Sequence, residues 1–373
     1  MDDQSGIIKM LSDLIAFRTV TSDQKEVRRA LEHLDAHFEW LPVERKILEH
    51  NGVFSLLVSM RGRDWQKPHI LLNGHIDVVS ASETEFSPRV EKNRLYGRGA
   101  QDMKGGLVAL IMAFKECMTE PNPPDVALLI TGDEEIGGAD GTGYVVGELG
   151  IRPDFVLVGD GSQRDYWEII TKEKGGLWIE MIAEGVNSHA ARPWLGDNAI
   201  DKIIAAIESV KRLVGPVEHN QWKSTASVTV IGTDNTVQNM IPARARAVMD
   251  IRFTEGLADT PDEVLREVVR WTPDVAVRAM AKVPLFMTDE DHPMVRRFAD
   301  SAHSVYKKGV SFGFSHAASD ARYFSEAGIP TVIFGTVGDK WHADGEWVDL
   351  ESVELMQKIV TEFLRASTEQ RKV

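Results

Sequence analysis

Four short, mainly apolar runs constrain this chain more than any other feature: His69–Asn73, Val126–Thr131, Phe155–Val158 and Thr331–Phe334, each bounded by Gly, Pro or Asp. Such continuous runs suit strands covered on both faces, as in a largely parallel sheet. Gly105–Met118 lies between the first two as an apolar crossover helix, giving a βαβ order. Two earlier segments, 5–17 and 24–39, have helical spacing, the first through Ile7, Ile8, Leu11, Leu14 and Ile15. The fold class expected is therefore α/β, with a three-layer domain built on a mostly parallel sheet.

Between residues 174 and 284 the pattern changes. Leu177–Ala183, Ser227–Ile231 and Ala247–Phe253 alternate or are β-branched, and helical patterns at Asn198–Leu213 and Asp262–Trp271 intervene. A strand–helix–strand–strand–helix–strand order is the α+β ferredoxin-like arrangement. At 373 residues the chain exceeds one ordinary core. Two domains are expected: residues 1–173 and 285–373 form the larger one, closed by helices at 292–307 and 350–366, and residues 174–284 are inserted in it.

The balance of 42 basic and 57 acidic residues gives a net charge of −15. That field repels nucleic acid and anionic membrane surfaces, so neither is expected as a partner. No window approaches the roughly 18 uninterrupted apolar residues of a membrane span. The first twenty residues carry Asp2, Asp3 and Asp13 and lack a basic start with an apolar core, so no signal peptide is expected. A single cysteine, Cys117, excludes an intramolecular disulfide and fits a cytoplasmic location. Its place in the apolar crossover helix makes it a buried small hydrophobe rather than a nucleophile.

Each core run is followed at once by side chains of the metal-binding type. Gly74-His75-Ile76-Asp77 follows the first, Gly132-Asp133-Glu134-Glu135 the second and Gly159-Asp160 the third, while the fourth leads through Gly335-Thr336-Val337-Gly338 to His342. Asp102 stands where the Gly97–Asp102 loop enters the crossover helix. In open α/β sheets ligands bind beyond the carboxyl ends of the strands, so these groups converge on one rim. Taken singly, each has a bland reading: His-x-Asp as a capping pair, adjacent acids as a solvated face, Asp after a strand as a turn residue. Their coincidence at strand ends points instead to two divalent ions with mixed nitrogen and oxygen donors and one bridging carboxylate. Asp77, two residues beyond His75, can return as an acceptor that orients the imidazole.

At these residues the sequence resembles the M20 family of metallopeptidases and deacylases, nearly end to end. Gly74–Val79 is similar to its first motif and Gly97-Arg98-Gly99-Ala100-Gln101-Asp102-Met103-Lys104-Gly105-Gly106 to its most specific one. Thr131–Glu135 resembles the catalytic carboxylate pair. Trp341-His342-Ala343-Asp344-Gly345-Glu346 resembles the final ligand motif, with Trp341 in place of a small residue. The resemblance implies that His75, Asp102 and Asp160 hold one ion and that Asp102, Glu135 and His342 hold the other. It implies zinc, with cobalt or manganese able to replace it, a general base at Glu134 and a cis peptide bond at Asp102–Met103.

The insert resembles the family's lid. Gly185–Pro193 followed by Gly196-Asp197-Asn198-Ala199-Ile200 is similar to a segment whose histidine, in dimeric members, reaches the partner's active site. That implies an oxyanion-stabilising role for His189 and a homodimer formed through the insert; a helix-entry histidine is the alternative. Asn239-Met240-Ile241-Pro242, then Asp250-Ile251-Arg252, resembles a second lid motif, which implies substrate contacts from Asn239 and Arg252. For Arg252 the choice is between a bidentate grip on a substrate carboxylate and a salt bridge with Asp250. Ser319-Asp320-Ala321-Arg322 resembles a segment whose arginine also meets a substrate carboxylate.

One departure stands out. Many deacylases of this family have Glu at the position of Asp160, followed by Pro and a hydroxyl residue, whereas here the run is Gly159-Asp160-Gly161-Ser162. Asp is more typical of the aminopeptidase and dipeptidase branches. The function expected is hydrolysis of the amide bond of a small N-acyl amino acid or short peptide, desuccinylase- or deacetylase-like. The alternatives are a dipeptidase or aminopeptidase of the same family, or a non-catalytic binding protein on the same fold.

Overall fold

The computed structural model describes residues 3–161, 167–307 and 309–368. Asp2 and Ser162, named above, lie outside them, as does the side chain of Asp3. The chain divides into two compact units: Met1–Thr171 with Thr288–Gly313 and Ser319–Val373, and Lys172–Met287 with Phe314–Ala318.

The first unit contains, in chain order, α1 (Asp3–Ala16), α2 (Gln24–Ala36), β1 (Val43–His50), β2 (Val53–Met60), β3 (Ile70–His75), α3 (Gly105–Met118), β4 (Val126–Thr131), β5 (Phe155–Val158), β6 (Glu168–Glu173), α4 (Pro293–Val305), β7 (Thr331–Ile333) and α5 (Leu350–Thr368). Seven strands of the sheet run in the order β1-β2-β4-β3-β5-β7-β6, and the short strands Phe286–Met287 and Ser311–Ser315 pair with β6 as well. Its middle strands β4, β3, β5 and β7 are parallel and buried along their whole length, as their continuous apolar sequences demand. At the flanks β1, β2 and β6 pair antiparallel, so the parallel middle lies within a sheet that is mixed as a whole. The reason at one edge is a tight hairpin. Asn51 and Gly52 join β1 to β2 at φ 48° and 82°, the left-handed pair that a two-residue turn requires. Helix α3 is apolar nearly all round and buried, packed against α5 and α1.

The second unit has its own core. Its antiparallel sheet has the order Thr225–Gly232, Arg244–Phe253, Gly175–Glu184, Ala276–Val283, the ferredoxin-like arrangement, and carries the helices Ala199–Val214 and Pro261–Trp271. Alternate residues of the two central strands, among them Ile179, Met181, Ala247 and Met249, pack with Ile203, Val210, Val264 and Val268 of the helices. No helix among the described residues is long and apolar enough to cross a membrane.

Candidate metal centre

The register of the parallel strands sets the site. Asn73 is level with Leu129 of β4 and Val158 of β5, and Val158 is level with Ile333 of β7. The loops that leave these strands therefore start at one height, on the carboxyl edge of the sheet. His75 is the last residue of β3. Glu134 and Glu135 open a short helical turn after β4, and Asp160 lies two residues beyond β5. His342 sits in the loop after β7 at φ 58°, and Asp102 lies just before α3, its peptide bond to Met103 cis.

Two glycines let the loops close up. A Cβ on Gly106, in the first turn of α3, would lie 1.9 Å from the carbonyl oxygen of Gly159, and one on Gly335 would lie 1.8 Å from that of Gly161. Backbone passes where no side chain fits.

The result is two overlapping triads. His75, Asp102 and Asp160 offer ligand atoms within 4.8 Å of one another, and so do Asp102, Glu135 and His342. Asp102 divides its carboxylate between them: Oδ1 is 3.2 Å from Nε2 of His75, and Oδ2 is 3.1 Å from Nε2 of His342. Nε2 of His342 is also 3.0 Å from Oε2 of Glu135. Two imidazoles and three carboxylates, one of them shared, fit the coordination chemistry of a pair of borderline divalent ions.

The electrostatics also favour cations. Burial, followed by the charge of Asp102, pushes the Asp160 carboxyl up to about 7. Burial raises Glu134 well above the usual carboxylate range, aided by Asp320, Asp160 and Asp102 and opposed by His75. Burial works against ionisation of Asp102 too, but hydrogen bonds from His342 and His75 hold its carboxyl well below the usual range. Hydrogen bonds to Asp102 and Glu135 raise the His342 imidazole to about 10. So many desolvated carboxylates in one place demand positive charge beside them.

Glu134 belongs to neither triad. Its Oε2 is 3.9 Å from Nε2 of His75, beside the pair rather than within it. Asp77 is fully buried, and its carboxylate mainly organises the loop that carries the two glutamates. It accepts from the backbone N–H groups of Glu134 (3.2 Å) and Glu135 (3.3 Å) and from Oγ1 of Thr21 (2.7 Å). Nδ1 of His75 is nearest the backbone carbonyl of Asp77, at 3.0 Å, with the carboxylate 3.4 Å away.

Arg322 is buried at this loop as well. Nη1 donates to the carbonyl of Ser319 (2.6 Å) and Nη2 to that of Gly137 (2.5 Å), which also accepts from the hydroxyl of Tyr323. Both terminal nitrogens of Arg322 are thus bonded to backbone carbonyls, one of them in the turn after Glu135. Glu346 was visible in the sequence only as the end of a motif; here it is fully buried against the loop of Asp102.

The remaining candidates belong to the second unit. His189 is exposed on a short ribbon paired with Met240, and its Nδ1 accepts from the N–H of Ala191 at 3.1 Å. Asn239 is exposed in the turn just before the partner strand of that ribbon, its carbonyl accepting from Ala190. The guanidinium of Arg252 is bonded to Asp250 at 2.9 Å and lies over the ring of Trp178, so the salt bridge is formed.

An α/β sheet with two overlapping histidine–carboxylate triads along its carboxyl edge is the equipment of a metal-dependent hydrolase. The chain belongs to peptidase family M20/M25/M40, whose profile it matches over residues 71–366. It is 30% identical over 374 residues to a succinyl-diaminopimelate desuccinylase of Acidiphilium cryptum, covering 96% of this chain and 97% of that one. In fold it is similar to a tripeptidase of Staphylococcus aureus (TM-score 0.78, 19% identity, 98% and 99% of the two chains covered). It is also similar to a dinuclear metal-binding peptidase of the M20 family from Bacillus subtilis (TM-score 0.67, 16% identity, 98% of each chain covered).

Proposed function

We propose that the protein hydrolyses the amide bond of a small N-acyl amino acid or short peptide, after the manner of the desuccinylase and deacetylase branch of its family. One observation carries this reading: Asp102 turns one carboxylate oxygen toward each histidine, while Glu134 stands beside the pair without joining it. A pair of zinc ions, or cobalt or manganese in their place, would supply Lewis-acid charge and an acidified water at this point. Glu134 accepts the proton of the attacking water and returns it to the leaving amine. Burial raises its pKa above the usual carboxylate range, which makes it a stronger proton acceptor for the first step.

His189 serves as the oxyanion donor from the lid of a partner chain, with Asn239 on the same unit as a substrate contact; Arg252, bonded to Asp250, would have to exchange that partner to grip a substrate carboxylate. Arg322 supports the loop of Glu134 and leaves less of its guanidinium for substrate. A cytoplasmic homodimer joined through residues 174–284 is part of the same proposal. The match to a succinyl-diaminopimelate desuccinylase over nearly the whole chain supports the choice of branch.

Asp160, where deacylases of the family usually carry Glu, favours a second reading as a dipeptidase or aminopeptidase. Assaying an N-succinyl or N-acetyl amino acid against a free-amine dipeptide separates the two. A binding protein on this fold would have no use for a base beside its metals. Glu134→Gln is therefore the decisive variant: turnover should fall by about 10²–10⁴-fold with metal content unchanged, and undiminished turnover would remove Glu134 from the chemistry.

A further inference from the structure

We infer that Glu346 positions the shared carboxylate of Asp102 and thereby sets the affinity of both metal sites. This rests on the two-metal reading above.

The carboxylate of Glu346 is fully buried and gathers its donors from one loop. Oε2 accepts from Nη1 of Arg98 (2.7 Å) and the N–H of Gly99 (2.9 Å). Oε1 accepts from the N–H groups of Gln101 (2.8 Å) and Asp102 (3.0 Å). The backbone carbonyl of Glu346 accepts from Gly97 at 3.0 Å as well. Residues 97–102 are thus wrapped round a single anion, an arrangement of convergent amides that binds negative charge firmly.

The geometric consequence falls on Asp102. With its backbone nitrogen pinned, only side-chain rotation remains to place Oδ1 toward His75 and Oδ2 toward His342. The clamp reaches further through the neighbouring residue. Nε2 of Gln101 donates to the carbonyls of Gly161 and Thr336, which lie next to Asp160 and on the loop that leads to His342. Glu346 follows His342 by four residues, and the next residue, Trp347, pairs with Tyr96 just before the clamped loop. The segment carrying the terminal histidine is therefore fastened to the segment carrying the bridging aspartate. Oriented supports of this kind are typically worth 10–100-fold in metal affinity or activity.

A plain structural brace between Glu346 and Arg98 would show the same contacts, so the test must read metal rather than stability alone. Full-length wild-type protein, Glu346→Gln and Glu346→Asp are stripped of metal and titrated with Zn²⁺ against a chromophoric chelator; the melting temperature of each metal-free form is recorded. Glutamine has one acceptor oxygen for four donors and turns an NH₂ group toward the others. Glu346→Gln should melt below wild type without metal, because Arg98 loses its buried counter-charge, and the folded variant should bind both zinc ions about 10–100-fold more weakly. Glu346→Asp keeps the charge and should recover part of the loss. Unchanged zinc affinity in Glu346→Gln, with or without a lower melting temperature, overturns the proposal. Should Glu346→Gln not fold, Glu346→Asp decides: weakened zinc binding in a folded protein supports the role, wild-type affinity overturns it. Failure of the wild type to bind two zinc ions would overturn the two-metal reading instead, and this role with it.

Discussion

Nε2 of His342 lies 3.1 Å from Oδ2 of Asp102, although one residue follows the last core strand and the other precedes the crossover helix. Because the other oxygen of Asp102 faces His75, the two residues should differ when mutated. Asp102→Ala removes a ligand from both triads, and the purified variant should retain neither ion. His342→Ala removes a ligand from one triad, and the ion held by His75 and Asp160 should persist. Elemental analysis of metal per chain checks this. Equal metal loss in the two variants would speak against a shared carboxylate.

Asp77→Asn separates two roles for a buried carboxylate. One amide oxygen cannot serve the N–H groups of both Glu134 and Glu135, so the loop that carries them should loosen. The backbone carbonyl beside Nδ1 of His75 is untouched. Turnover should fall by about 10–100-fold while zinc content stays near wild type. If zinc is lost instead, the carboxylate acts through the imidazole.

Gly106→Ala puts a methyl group where the carbonyl of Gly159 already stands, at 1.9 Å. Helix α3 or the end of β5 must shift, at a cost of about 1–3 kcal/mol. Gly147→Ala is the control, since a Cβ there meets nothing within 4 Å. Urea unfolding should show a clear loss for the first substitution and none for the second.

Burial of Cys117 in α3 pushes its thiol from 9.0 up to about 12. The native thiol should ignore a disulfide reagent at pH 8 and react promptly in urea; rapid reaction of the folded protein would contradict its burial. The linkage has a definite sign. On raising the pH, the unfolded thiol ionises first, so this contribution to stability is full below pH 9 and fades as the pH climbs toward 12.

The middle of the fold was legible because each core strand is a short apolar run ending in polar ligands. Val126–Thr131 and Phe155–Val158 fall where their sequences place them, and β3 runs on to His75 because its pairing with Thr131 continues. The antiparallel flanks were less plain. Asn51-Gly52 carries a strong hairpin signal that the apolar-run argument does not use. Arg89–Glu91, Arg94–Tyr96, Gly338–Asp339 and Trp347–Asp349 are too short to show any period, yet they form the small sheet beside the metal centre.

Among the candidate site residues, the side chains that gather in the two triads could be picked out at strand ends, because chain direction decides which edge they reach. What spacing could not decide was the direction of a side chain. Two residues after a histidine, Asp77 could equally have faced the imidazole or the amides of the next loop. Glu346 and Arg322 act through backbone groups whose orientation only the folded loops fix.

The most direct measurement is an anomalous difference map at the zinc edge from crystals grown with Zn²⁺. Two peaks roughly 3.5–4 Å apart are expected on either side of Asp102, one held by His75 and Asp160, the other by Glu135 and His342. A single peak, or two that do not share Asp102, would contradict the dinuclear centre.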